Sequence, residues 1–245
     1  MAYKWKNDCP EETIQNQDDI LRMLDTLLRD DGKWWDSFYS DRSKQVPFFV
    51  NLPDESLVSW FETNQLHAGR VLELGCGPGR NSIYMAKQSC SVDAIDVSPV
   101  SIEWARERTA EAGVDVNFIC ASIFDFPVKA GEYDLVYDCG CFHHIPPHRR
   151  MSFLSLVATA LKPGGAFGLT CFGAESPETS GADITDWQVY RDRSMHGGLG
   201  YSKKRLITTF SPILDVVELR QMKKCKSNDG KFGESFLWVG LFQKR

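Results

Sequence analysis

Residues 71–86 read VLELGCGPGRNSIYMA. An apolar run carrying Glu73 enters a turn with glycines at 75, 77 and 79, and apolar residues at helical spacing resume from Gly79. That is a strand, a tight turn and a helix. Glycines at such a turn let a ligand approach the main chain, and the start of the helix offers unpaired N–H groups. A dinucleotide fingerprint would place its third glycine at position 80, where Arg80 stands, and the Gly-Lys-Ser/Thr of a phosphate-binding loop is missing. Glu73, two positions before Gly75, would repel a pyrophosphate and suits a cation. The turn is therefore expected to hold a small ligand that is cationic at its reacting end.

The strand and helix pattern repeats downstream. Residues 91–95 read as a strand ending at Asp96, and Ser98 as N-cap with Pro99 at the first helical position opens a helix up to Gly113. Residues 116–120 and 133–138 are the third and fourth strands. Leu154, Val157, Ala158 and Leu161 mark a helix stopped by Pro163-Gly164-Gly165, before a strand at 166–172. Residues 216–223 and 236–243 alternate around Asn228-Asp229-Gly230, a hairpin signal. The fold expected is α/β, a doubly wound Rossmann-like sheet of seven strands, mostly parallel, with a C-terminal antiparallel hairpin. Ligands of such sheets bind outside the carboxyl ends of the strands, and Glu73, Asp96, Ser122 and Asp138 all stand at or just beyond those ends.

The motif Glu73-x-Gly75-x-Gly77-x-Gly79, with DAIDVSP at 93–99, YDLVYD at 133–138 and LKPGG at 161–165, resembles the class I S-adenosylmethionine-dependent methyltransferases over residues 69–172. GRNSIYMA at 79–86 is similar to the tellurite-resistance and thiopurine branch. The resemblance implies S-adenosylmethionine as cofactor, a methionine and ribose site at Glu73, Gly75, Cys76 and Gly77, and a ribose contact from Asp96, with Val97 against the adenine. Ser122 stands where the family carries an acidic residue for the adenine amino group, with Asp125 as the alternative, and Ile123 beside it is a further cofactor-binding candidate. Asp138 and Cys139 would meet the cofactor's amino group. Tyr39 and Arg42, from an aromatic N-terminal segment, are candidates for its methionine end. Arg80 and Asn81 read either as ligands of its carboxylate or as exposed first-turn residues. His143 and His144 face the acceptor, with at most one of them expected to enter the pocket, or else are structural histidines. They and Asp138 are the candidate bases.

Composition narrows the partners. The 245 residues carry a net charge of -5, which argues against general nucleic-acid binding, although residues 201–245 are basic. No run is apolar enough to span a bilayer, and the opening residues lack a secretory pattern, so a cytoplasmic location is expected. Eight cysteines without a C-x-x-C pair read as reduced thiols, and no metal site is expected. Residues 1–68 read as a helical and aromatic cap, with a helix at 18–29, and 69–245 as the catalytic domain with a lid-like insertion at 174–200. Trp187, Tyr190, Arg191, Arg193 and His196 on that insertion are candidates for selecting substrate or are simply exposed. A metabolite is the expected acceptor, whether the protein is a monomer or a homodimer. The alternatives are an RNA or protein acceptor, a cofactor-binding module without transfer, and a nicotinamide-dependent oxidoreductase, which Arg80 and Glu73 disfavour.

Overall fold

Successive residues of a strand point to opposite faces, and the first strand of this chain buries both of them. The computed structural model describes residues 13–174, 181–226 and 228–245. In it β1 is Arg70–Leu74, with Leu72 and Leu74 in one apolar cluster and Val71 in the other. β2 (Ser91–Asp96), β3 (Asn117–Cys120) and β4 (Tyr133–Cys139) lie parallel to it, and β5 (Leu161–Phe172) is parallel to β4. β7 (Leu237–Lys244) pairs antiparallel with both β5 and β6 (Leu214–Gln221). Among the described residues the seven strands form one sheet in the order β3-β2-β1-β4-β5-β7-β6. The order reverses between β1 and β4, which opens a crevice at their carboxyl ends.

Helices cover the sheet. α4 (Arg80–Lys87) follows the glycine turn, α5 (Pro99–Ala112) follows β2, and α6 (Arg150–Ala160) precedes β5. Ser98 caps α5 by accepting from the Ser101 N–H at 3.1 Å, as its position before Pro99 predicts. Pro163-Gly164-Gly165 does not break the chain between helix and strand, because α6 runs directly into β5 and the irregularity is absorbed as a bulge against Tyr133 and Leu135.

Three segments depart from expectation. α1 is Gln17–Asp25, shorter than the apolar spacing suggested, and it buries no residue. The aromatic stretch without clean periodicity forms α2 (Asp31–Ser40), capped by Asp30, and a 3-10 turn at Pro47–Phe49. Tyr39 and Phe49 there pack with Trp104 of α5, so tertiary burial overrides weak amphipathicity. Between β6 and β7 the turn at Asn228-Asp229-Gly230 is present, with the Asp229 N–H donating to the Lys226 carbonyl at 3.0 Å, but the strand pairing ends at Gln221 and Trp238 and the chain does not run straight to it. The chain detours to α3 (Glu55–Glu62), where the Phe232 N–H donates to the Pro53 carbonyl at 2.7 Å and its carbonyl accepts from the Glu55 N–H at 2.8 Å.

Within the proposed insertion, 175–180 lie outside the described residues, as does Cys9. The rest carries α7 (Asp186–Asp192) and packs on the core, with Val189 and Leu199 fully buried. α8 (Lys203–Phe210) follows it. No described helix is long and apolar enough to cross a membrane.

Candidate functional site

The crevice at the β1/β4 reversal opens into a cavity of about 1110 Å³. That exceeds the usual range for one drug-sized ligand, roughly 300 to 1,000 Å³. Its floor is the glycine turn with the ends of β1, β2 and β4, and its roof is the stretch from α1 to α2. α1 is held there by Asp25, which pairs with Arg149 and lies 2.7 Å from Nε2 of His148.

Gly75 and Gly77 have φ of 68° and 52°, in the left-handed region that glycine tolerates. A Cβ on Gly75 would lie 2.6 Å from the Cys141 Cβ, and one on Gly77 would lie 3.0 Å from the Tyr39 hydroxyl. The bare main chain is thus needed by the cavity's own walls, Cys141 below and Tyr39 above.

Asp96 is 7% exposed and lines the cavity. One oxygen accepts from the Gly77 N–H at 2.8 Å and the other from the Ser98 N–H at 2.9 Å. A carboxylate has about four lone-pair directions, so two remain for a ligand's hydroxyls. Burial pushes its pKa up, and the two N–H donors oppose the shift.

Glu73 is buried, receives a hydrogen bond from the Ser82 hydroxyl and lines the cavity, and burial raises its pKa to about 8. Near neutral pH its carboxyl is therefore mostly protonated until a cation arrives, which refines the expectation of a standing negative charge.

Val97, Ser122, Ile123, Cys76, Cys139 and Tyr39 also line the cavity. Ser122 does so while its hydroxyl accepts from the Phe124 N–H at 3.2 Å. Asp138 does not. Its carboxylate is fully buried beneath the turn that follows β4 and accepts from the N–H groups of Cys141 and Phe142, both at 3.1 Å. Burial raises its pKa to about 7. Its side chain holds the histidine turn, and the neighbouring Cys139 and Gly140 reach the cavity instead.

Arg42 is a correction. It points to solvent and forms an ion pair with Glu107 of α5, outside the cavity.

Arg80 and Asn81 are neither exposed nor free. Arg80 is 7% exposed, its guanidinium lies 2.5 Å from Asp54, and it donates to the Leu52 carbonyl at 2.8 Å and to Cys139 Sγ at 3.0 Å. Asn81 accepts from the Asp54 N–H at 2.9 Å. Asp54 stands at the N-cap position of α3, but its side chain makes no capping bond. It accepts from the hydroxyls of Tyr137 at 2.7 Å and Thr170 at 3.0 Å and is the buried partner of Arg80.

Both histidines line the cavity, where at most one was expected. Nδ1 of His143 accepts from the Phe172 N–H at 3.2 Å and its ring stacks on Phe172 at 3.7 Å, so that nitrogen is committed. His144 meets Trp35 edge-on at 4.8 Å, and its Nδ1 has no partner among the described residues. Burial drops its pKa to about 3, leaving the imidazole neutral across the physiological range. Of the described residues at 174 and 181–200, none lines the cavity. Trp187 is 78% exposed, and Phe232 and Phe236 form the wall assigned to a lid. Those two, with Cys141, Trp35 and Arg29, lack any motif that would have singled them out. Among the described residues no three His, Cys, Asp or Glu side chains converge as a metal ion would require.

A family model described as a methyltransferase domain matches residues 71–165. A 2-heptyl-1-hydroxyquinolin-4(1H)-one methyltransferase of Mycobacteroides abscessus is 27% identical over 51% of this chain and 56% of its own length. A ubiquinone biosynthesis O-methyltransferase of Xanthomonas euvesicatoria is 30% identical over 62% of this chain and 66% of its own. The chain thus spans between half and two thirds of these relatives. The crystal structure of TehB from Haemophilus influenzae superposes with a TM-score of 0.58 at 16% identity, covering 78% of this chain and 62% of that one, which shows a shared fold. Residues 71–165 are thus a methyltransferase domain of the class I S-adenosylmethionine-dependent kind, whose cofactor is S-adenosylmethionine.

Proposed function

We propose that the chain moves the methyl group of S-adenosylmethionine onto a small-molecule acceptor within this cavity. One observation carries the reading: the glycine turn and Asp96 open into the same roofed space of about 1110 Å³ as His144, with room for an acceptor beside the cofactor. The quinolone and ubiquinone methyltransferases among its relatives are named for small-molecule chemistry of this kind. The segment before residue 69 serves as the cap, and 69–245 as the transferase domain.

The residues fit the cofactor. Asp96 keeps two lone-pair directions for the ribose hydroxyls, Val97 and Ile123 supply apolar contact for the adenine, and Ser122 stands beside them. Glu73 and the backbone at Cys139 and Gly140 receive the amino group, with Tyr39 closing over Gly77. When bound, the cofactor supplies a methyl group on a sulfonium with a neutral thioether as leaving group. The chain must align the acceptor and exclude water, worth about 7 to 11 kcal/mol of barrier. A general base adds only about 3 to 5 kcal/mol. Alignment by the roof therefore dominates, and His144, a neutral imidazole whose Nδ1 has no partner among the described residues, faces the acceptor.

Incubation with cofactor labelled in the methyl group and a metabolite extract is expected to transfer label to a small organic product. Cofactor binding without transfer to any metabolite would leave a binding module. A second expectation concerns Glu73. Calorimetry near pH 7 in buffers of differing ionisation enthalpy should show release approaching one proton as the cationic cofactor binds, because a carboxyl with a pKa of about 8 ionises beside it. Glu73→Gln should abolish that release, and an unchanged release would remove Glu73 from the cation's surroundings.

A further inference from the structure

The roof carries a polar group that the cofactor reading does not use. Arg29, between α1 and α2, lines the cavity, donates through Nε to Asp31 at 2.9 Å and lies over the Trp34 ring at 3.9 Å. Its Nη2 is sealed from solvent and has no hydrogen-bond partner among the described residues. His144 Nδ1 is in the same condition, and the positive charge of Arg29 contributes to the low pKa of that imidazole, so the two groups sense each other. Trp35 neighbours both, 4.8 Å from the His144 ring and 5.9 Å from the Arg29 guanidinium.

A buried polar atom without a partner costs about 1 to 3 kcal/mol, and more when charged. A guanidinium has no lone pair to offer, so only an acceptor can complete it. Imidazole can donate through Nδ1 in one neutral tautomer. The two groups, set beside an indole, thus make a receptor for an oxygen that accepts twice and is favoured when anionic, carried on a flat ring.

We propose that Arg29 and His144 form a clamp for an ionised oxygen on an aromatic acceptor, and that this clamp sets substrate class. The proposal rests on the methyltransferase reading, and it assigns the acceptor half of the cavity to ionised phenols and their relatives. Arg29 is then a specificity-determining residue supplied by the cap. Asp31 holds its Nε, and Trp34 flanks the guanidinium.

Calorimetry on protein saturated with S-adenosylhomocysteine tests this, with 4-nitrophenol above its pKa and nitrobenzene as probes. The ionised phenol is expected to bind at least tenfold more tightly than nitrobenzene. Arg29→Gln should remove most of that preference, Arg29→Lys should restore part of it, and His144→Ala should weaken the phenolate alone. S-adenosylhomocysteine affinity measured in each variant reports whether the site has stayed folded. Equal binding of the two probes, binding of neither, or a preference that survives Arg29→Gln would overturn the clamp. Failure of the wild-type protein to bind S-adenosylhomocysteine would instead overturn the methyltransferase reading.

Discussion

Replacing Arg80 by alanine should lower the unfolding free energy by about 3 to 5 kcal/mol, the usual result of stripping one partner from a buried ion pair. Arg80 is 7% exposed and Asp54 fully buried. Without the guanidinium the Asp54 carboxylate keeps only the neutral hydroxyls of Tyr137 and Thr170 and a charge that nothing opposes. The Leu52 carbonyl loses its donor and the Phe232 ring loses the cation 4.4 Å from its centroid. Arg80→Lys should recover little, since one ammonium cannot reproduce a planar fork serving Asp54, Leu52 and Cys139. Asp54→Asn combined with Arg80→Leu should cost clearly less than the two single changes added together, because the uncompensated charge disappears. Urea denaturation of the five variants, Arg80→Ala, Arg80→Lys, Arg80→Leu, Asp54→Asn and the double change, decides it. A loss below about 1 kcal/mol for Arg80→Ala would mean that water reaches the pair and that the wall of the cavity is looser than its burial indicates.

This pair also shows where sequence reading stops. Position 80 was informative as the place where a dinucleotide glycine is missing, and nothing local pointed to position 54 as its partner. The contact spans 26 positions and depends on Tyr137 and Thr170 arriving from two strands. The fold was legible because period-two and helical patterns are local, and because Ser98-Pro99 and the three glycines are read at the residue itself. Asp96, Val97 and Cys139 were legible because strand ends converge in any open parallel sheet. The roof was not. α2 has little amphipathic signal of its own and is placed by Tyr39, Phe49 and Trp104 packing together. Arg42 and Arg29 both belong to the cap, yet tertiary contacts pair the first with Glu107 and leave the second over the cavity. Asp138 stood at the expected strand end, yet a carboxylate followed by Gly140 can fold back under its own turn, and it does.

Asp96→Ala should weaken S-adenosylhomocysteine binding by about a hundredfold. Two hydrogen bonds to a charged acceptor contribute at least about 1.5 kcal/mol each, and every 1.4 kcal/mol is a factor of ten. The substitution also frees the Gly77 N–H, which Asp96 holds at 2.8 Å, so the turn loses an internal strut along with a ligand contact. Two comparisons separate those effects. Asp96→Asn preserves shape, but its amide must turn a donor toward either the Gly77 or the Ser98 N–H, so the loss should be nearly as large. An analogue of S-adenosylhomocysteine lacking the 2′ hydroxyl should bind wild type more weakly than the parent compound, and should feel Asp96→Ala by a smaller factor. If the carboxylate acted only through the glycine turn, the parent compound and the deoxy analogue would lose the same factor. That equality, measured by calorimetry on folded protein, would remove Asp96 from the ribose and leave it as a brace for Gly77.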